Sequence, residues 1–95
     1  MIGNVTQGSL GEICEKAIEK WGFERQASHC QEECGELVAA ISHLRRKRKG
    51  AREDVLEEAT DVKIMVEQIL STFTSDERDE MLRTKLTKTF RKLAD

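Results

Sequence analysis

Apolar residues recur three and four positions apart along most of the chain, and that spacing predicts helices nearly throughout. Leu10, Ile13, Cys14, Ala17, Ile18 and Trp21 form the first set, opened by Ser9 and Glu12 at the S-x-x-E spacing of a capping box and closed at Gly22. A second helix is expected from about Glu24 through Ala27, Cys30, Cys34, Leu37, Val38, Ile41 and Leu44. It should run on through the basic stretch Arg45, Arg46, Lys47, Arg48 and Lys49 until Gly50 stops it. Val55, Ala59, Val62, Val66, Ile69 and Phe73 mark a third helix from about Arg52 to Phe73. Thr74 and Glu77 offer another capping box, and a fourth helix carrying Met81, Leu82, Leu86, Phe90 and Leu93 reaches the C-terminus. No stretch alternates with period two between turn residues, so strands are not expected. Residues 1–8 are polar and aperiodic, which predicts a loosely ordered lead-in. The pattern as a whole reads as one all-α domain over 1–95, a helical bundle of about four helices.

Composition bears on how such a bundle is completed. The 95 residues include no proline, 38% are hydrophobic and 36% are charged. A chain of this length buries only roughly 60–65% of its unfolded surface, so completion by oligomerisation, as a homodimer or homotetramer, is expected. Sixteen basic residues against eighteen acidic ones leave a net charge of −2, which provides no global field toward nucleic acid or an anionic membrane. No apolar run approaches the ~18–20 residues of a membrane span, and no basic segment followed by an apolar one opens the chain, so a cytoplasmic location is the expectation. Cys14, Cys30 and Cys34 are an odd number, two of them four apart in a predicted helix, and fit a reduced helical core better than disulfides. A structural zinc site would have to recruit His29 or His43 from other turns and is not favoured.

The chemistry is concentrated on the second and third helices. On wheels at about 100° per residue, started from Cys30 and Val55, Glu33 and Glu58 both fall about −60° from the seam, while Glu36 and Asp61 both fall at about −120°. Glu32 and Glu57 point almost the opposite way. Each i, i+3 pair brings its carboxylates to one edge of the apolar stripe. If the helices pack along their stripes, four carboxylates converge, repel and raise one another's pKa values unless a cation sits among them. Carboxylate-only ligation selects a hard ion, Mg²⁺, with Mn²⁺ as a substitute. Acids flanking a bundle seam also serve as surface ion pairs, and wheel geometry alone does not separate the two readings.

The run Glu32-Glu33-Cys34-Gly35-Glu36-Leu37, followed by Glu58-Ala59-Thr60-Asp61-Val62, resembles the E-E-x-x-E … E-x-x-D pattern of the MazG-like, all-α nucleoside triphosphate pyrophosphohydrolases. The similarity extends over roughly residues 20–94 and is greatest to small single-domain members from bacteria and their phages. It implies Mg²⁺ held by Glu33, Glu36, Glu58 and Asp61, which are also the four acids selected by the wheels. The implied reaction cleaves the α–β phosphoanhydride of a (deoxy)nucleoside triphosphate to the monophosphate and pyrophosphate. Glu32 matches the motif but lies off the face, so a supporting or helix-surface role is expected for it.

Around this centre, Gln26 and His29 lie on the face of Glu33 about two turns and one turn earlier, where a base or sugar could be contacted, or where they could be satisfied structural polar residues. Lys85, Lys88 and Arg91 resemble a late basic signature of the family, which implies pairing with the β- and γ-phosphates; solvated helix surface is the alternative. Trp21 fits a core position better than a stacking one. The basic run at 45–49 supports a rival reading, a small helical nucleic-acid-binding or regulatory interaction module without catalysis. Its side chains circle the predicted helix, however, rather than forming one face.

Overall fold

The computed structural model describes residues 9–95; the expected lead-in at residues 1–8 lies outside the described residues. Four α-helices follow one another, α1 (Leu10–Trp21), α2 (Phe23–Arg45), α3 (Ala51–Leu70) and α4 (Ser75–Leu93), and no strand occurs among the described residues. None of the helices is long and apolar enough to cross a membrane.

Local chemistry accounts for most of the boundaries. Ser9 Oγ accepts the Glu12 backbone N–H at 3.1 Å and caps α1. Gly22, at φ +87°, ends α1 and starts α2 without an intervening loop, a backbone conformation that L side chains rarely adopt. Thr74 and Glu77 form the reciprocal capping box of α4: Thr74 Oγ1 accepts the Glu77 N–H at 3.1 Å, and Glu77 Oε1 accepts the Thr74 N–H at 3.0 Å. The Thr74 N–H, together with the Thr74 hydroxyl donating to the same oxygen at 2.9 Å, holds the Glu77 carboxyl below its ordinary pKa.

Two boundaries differ from expectation. α2 ends at Arg45 rather than running through the basic stretch to Gly50. Arg48 N–H reaches back to the His43 carbonyl at 3.1 Å and Lys47 N–H to Leu44 at 2.9 Å, the paired bonds of a Schellman stop. The left-handed position in that motif is Lys47, at φ +57°, so a lysine stands where glycine is usual. Repulsion among five successive cations also disfavours winding them onto one helix end. Gly50, at φ +76°, instead precedes α3 as its N-cap. At the far end, α3 stops at Leu70 and residues 71–74 form the turn into α4, leaving Phe73 half exposed.

α2 and α3 pack on each other as an antiparallel hairpin, and α1 lies mainly against α3, where the buried Cys14 thiol donates to the Ile64 carbonyl at 3.6 Å. Burial pushes that thiol's pKa up. Cys30 is half-buried along the α2–α3 seam and Cys34 is exposed, so Cys34 lies outside the reduced core expected of all three. The hairpin seam is rotated from the one the apolar residues suggested. Its inner positions are Gln26, Cys30, Glu33, Leu37 and Ala40 on α2 and Ala51, Val55, Glu58, Val62, Met65 and Ile69 on α3, each alternating four and three apart. Cys34, Val38, Ile41, Ala59 and Val66, expected on the seam, are exposed. α1 buries Cys14 and Ala17 but leaves Leu10, Ile13 and Trp21 partly exposed. α4 has no buried residue at all.

Candidate functional site

The rotated seam moves two carboxylates from the flank of the helix pair into its interior. Glu33 sits between Cys30 and Leu37 in the α2 series, and Glu58 between Val55 and Val62 in the α3 series. Because the helices are antiparallel, these positions meet: one oxygen each from Glu33, Glu36 and Glu58 lie within 4.8 Å of one another. Glu58 also joins a second group, with Glu57 and Asp61, at the same mutual distance. Of the four acids expected to converge, Glu33, Glu36 and Glu58 form one triad, and Asp61 joins Glu58 in a second whose third member is Glu57.

Their electrostatics are unbalanced. Glu33 Oε2 and Glu58 Oε2 are both shielded from solvent and neither has a hydrogen-bond partner. An anionic oxygen taken from water without a donor is costly, and two at one place compound the cost. The strain appears at Glu58, whose pKa is pushed up to about 7 by desolvation, then by the adjoining Glu36 carboxyl and by the charges of Glu33 and Asp61. Among the described residues, His29 is the one cation-forming side chain bonded to the group, its Nε2 lying 3.2 Å from Glu33 Oε1. A hard divalent cation would satisfy the orphaned oxygens by the chemistry of the donor set, all carboxylate. The groups of three or more candidate ligands among the described residues contain no cysteine or histidine, so they offer no zinc site of the kind weighed above.

An open cavity of about 320 Å³ adjoins the acids, near the lower end of the usual range for small-molecule sites. Glu33 and Asp61 form its acidic wall, with Gln26 and His29 two turns and one turn before Glu33 along α2, on the face where the sequence placed them. Across from these, Ile64, Met65 and Gln68 of α3 supply a largely apolar side. Gln26 and Gln68 are 3% and 6% exposed and joined at 2.7 Å, Nε2 of Gln26 donating to Oε1 of Gln68.

Trp21 is a finding against expectation, 44% exposed at the cavity mouth rather than in the core. Its ring carries the Arg25 guanidinium at 5.6 Å and the Lys20 ammonium at 5.7 Å from the centroid. In comparisons with known protein families, curated proteins and solved structures, nothing matches this chain.

Two other groups of expected site residues are placed elsewhere. Glu32 is exposed, on the outer surface of α2. Lys85, Lys88 and Arg91 are exposed on α4, which packs least on the rest of the chain, and none of them lines the acid-walled cavity. Arg25 and Gln68 line the cavity without having been singled out, and Glu57, expected to point away from the converging acids, instead joins Glu58 and Asp61. Arg25 and Gln68 carry a helical-spacing signal, since Arg25 stands four before His29 and Gln68 seven after Asp61.

Proposed function

We propose that this chain is a Mg²⁺-dependent nucleoside triphosphate pyrophosphohydrolase that cleaves its substrate to monophosphate and pyrophosphate. The observation that carries the reading is the pair of solvent-shielded, unpartnered carboxylate oxygens, Glu33 Oε2 and Glu58 Oε2, beside a cavity of ligand size. A bundle gains nothing from two such oxygens in its seam unless a cation joins them. The resemblance of Glu33, Glu36, Glu58 and Asp61 to the MazG-like acidic motif names the reaction.

These four residues would hold the ion, which when bound supplies neutralisation of phosphate oxygens and acidification of a water. The chain's own groups then divide the remaining work. Glu36, the most exposed of the four acids, would take a proton from the attacking water. His29 orients Glu33 through their 3.2 Å contact. Arg25 offers a fixed cation for a phosphate, and the Trp21 face beside it offers a stacking surface for a base. Gln26 and Gln68 present amide groups to the cavity wall, suited to the polar edge of a base. Lys85, Lys88 and Arg91 enter this reading only if they come from the α4 of a neighbouring copy.

The test is a panel of canonical and modified nucleoside triphosphates incubated with Mg²⁺ or Mn²⁺, with products resolved as monophosphate plus pyrophosphate or diphosphate plus phosphate. Metal-dependent pyrophosphate release from at least one member is expected. Absence of release across the panel, together with salt-dependent binding of DNA or RNA, would transfer the assignment to the nucleic-acid-binding module.

A further inference from the structure

We propose that the turn between α2 and α3 docks this protein on the phosphate backbone of double-stranded nucleic acid, without regard to sequence. From Arg45 to Arg52 the chain holds six bases, Arg45, Arg46, Lys47, Arg48, Lys49 and Arg52, and no acid. Wound onto one helix they would circle it. Because α2 stops at Arg45, the other five fall in the reversal and in the first turn of α3, so all six gather, exposed, at one end of the hairpin.

The fold makes no use of these charges. Among the described residues none of the six is ion-paired, and the ion pairs that do form lie elsewhere, at His29–Glu33 and Arg78–Glu67. Glu53 and Asp54 follow in the first turn of α3, where acids complement the helix dipole, and they too leave the six unpaired. Lys47 keeps its charge on a left-handed backbone, φ +57°, that glycine would occupy at lower cost. At the same end, Ser42, Arg45 and Arg46 line an open pocket of about 370 Å³ with no carboxylate in its wall. Two guanidinium groups at one concavity suit a phosphodiester, which arginine grips with a fork of N–H donors. The N-terminus of α3 adds the positive end of its dipole, since its cap, Gly50, makes no side-chain hydrogen bond there.

The surroundings narrow the class of anion. The rest of the chain carries ten bases against eighteen acids, so attraction is confined to this tip, within a Debye length of about 8 Å. No aromatic residue lies between Phe23 and Phe73, so bases find no stacking platform here and the contact is to backbone. No apolar side chain lies between Arg45 and Gly50, and a basic patch holds a bilayer stably only with a second, apolar or acyl signal. A duplex, with one charge per about 1.7 Å of axis, presents anions densely enough to meet six bases over so short a span. Glu33 stands three turns before Arg45, about 18 Å along α2, so a duplex at the tip leaves the acid-walled cavity open. Docking and nucleotide turnover are therefore independent of each other.

The test is fluorescence anisotropy of labelled duplexes of about 20 base pairs, in chelator, with the full chain. At about 50 mM salt wild type should bind with a micromolar Kd or tighter, alike for unrelated sequences and for DNA and RNA duplexes, and log K should fall against log salt with a slope of about −4 to −5. Arg45→Gln/Arg46→Gln/Arg48→Gln should lose at least about tenfold in affinity and flatten the slope by about 2–3, with far-UV circular dichroism and Mg²⁺-dependent turnover unchanged. Lys85→Gln/Lys88→Gln/Arg91→Gln removes the same charge from α4 and should stay within about threefold of wild type. Absence of binding by wild type, equal losses in the two triple variants, or tighter binding of a single strand than of the duplex would each overturn the proposal. Capture by phosphatidylserine vesicles or by poly-glutamate that duplex does not compete away would overturn it as well, transferring the turn to a membrane surface or an acidic protein.

Discussion

Gln26 and Gln68 stand 42 positions apart and share a 2.7 Å hydrogen bond that ties the first turns of α2 to the last turns of α3, at the floor of the cavity. Gln68 Nε2 also donates to Met65 Sδ at 3.7 Å, so its amide is fixed from two sides. Replacing either glutamine by leucine strands a buried amide and should cost about 1–3 kcal/mol, whereas the double variant Gln26→Leu/Gln68→Leu should cost less than the sum. A denaturation double-mutant cycle reads this directly. Additive losses would mean that the two amides stand alone. Since both line the cavity, the same variants should raise KM for whichever nucleotide is turned over.

The pH dependence of the metal-free protein follows from Glu58. Its folded-state pKa of about 7 lies above the unfolded value near ~4.3, so the native state holds this proton more tightly between the two. Its contribution to stability is fully present below about pH 4.3 and is lost as pH rises through about 7. In Glu58→Gln the contribution no longer titrates. The stability difference between wild type and Glu58→Gln should therefore shift against wild type from pH 5 to pH 7.5, measured by urea denaturation in chelator. Addition of Mg²⁺ at pH 7.5 should raise wild-type stability and leave Glu58→Gln nearly unchanged. A difference that stays flat with pH would show that Glu58 shares no repulsion with its neighbours.

How much of this was legible in the sequence depends on which physical signal each feature uses. Gly22 and the Thr74–Glu77 capping box set helix ends through local bonds, so chain spacing alone locates them. The seam is different, because α2 carries two apolar stripes, one through Cys34, Val38 and Ile41 and another through Cys30, Leu37 and Ala40. Counting apolar residues favours the first, and packing chose the second, which includes Glu33. The four acids were still found, because an i, i+3 pair keeps its internal geometry whichever stripe faces inward. Trp21 and the stop after Arg45 were misplaced for the opposite reason. Exposure at a cavity mouth and a left-handed lysine both depend on tertiary context that periodicity does not encode.

The two triads predict unequal effects among neighbouring acids. Glu36→Ala or Asp61→Ala should lower Mg²⁺-dependent turnover by at least about a hundredfold while leaving far-UV circular dichroism intact, since both residues lie toward the solvent side of the seam. Glu32→Ala, on the outer surface of α2, should stay within a few-fold of wild type. Comparable losses in Glu32→Ala and Glu36→Ala would remove the distinction on which the site is built.

Trp21 is the sole tryptophan and lies at the cavity mouth between Lys20 and Arg25. Nucleotide binding should change its emission without any added probe, and titration of a non-hydrolysable triphosphate in the presence of Mg²⁺ should saturate. Arg25→Ala should weaken that titration by more than Lys20→Ala, because Arg25 lines the cavity and Lys20 does not. Emission that ignores nucleotide while turnover proceeds would place the base elsewhere.

Lys47 holds a left-handed backbone at φ +57° in the stop between α2 and α3, with Arg48 N–H bonded to His43 at 3.1 Å. A side chain in this conformation costs roughly 1–2 kcal/mol, which glycine avoids while giving back part of the gain through a more flexible unfolded chain. Lys47→Gly also removes one of five adjacent positive charges. The variant should therefore be more stable by about 0.5–1 kcal/mol in urea denaturation, with turnover unchanged, because the turn lies well away from the acids. Lys47→Ala relieves the charge without relieving the backbone and should recover only a small fraction of that gain. Equal stabilisation by both variants would trace the effect to repulsion within the basic run, whereas loss of stability in Lys47→Gly would mean that the lysine side chain makes a contact of its own in the turn.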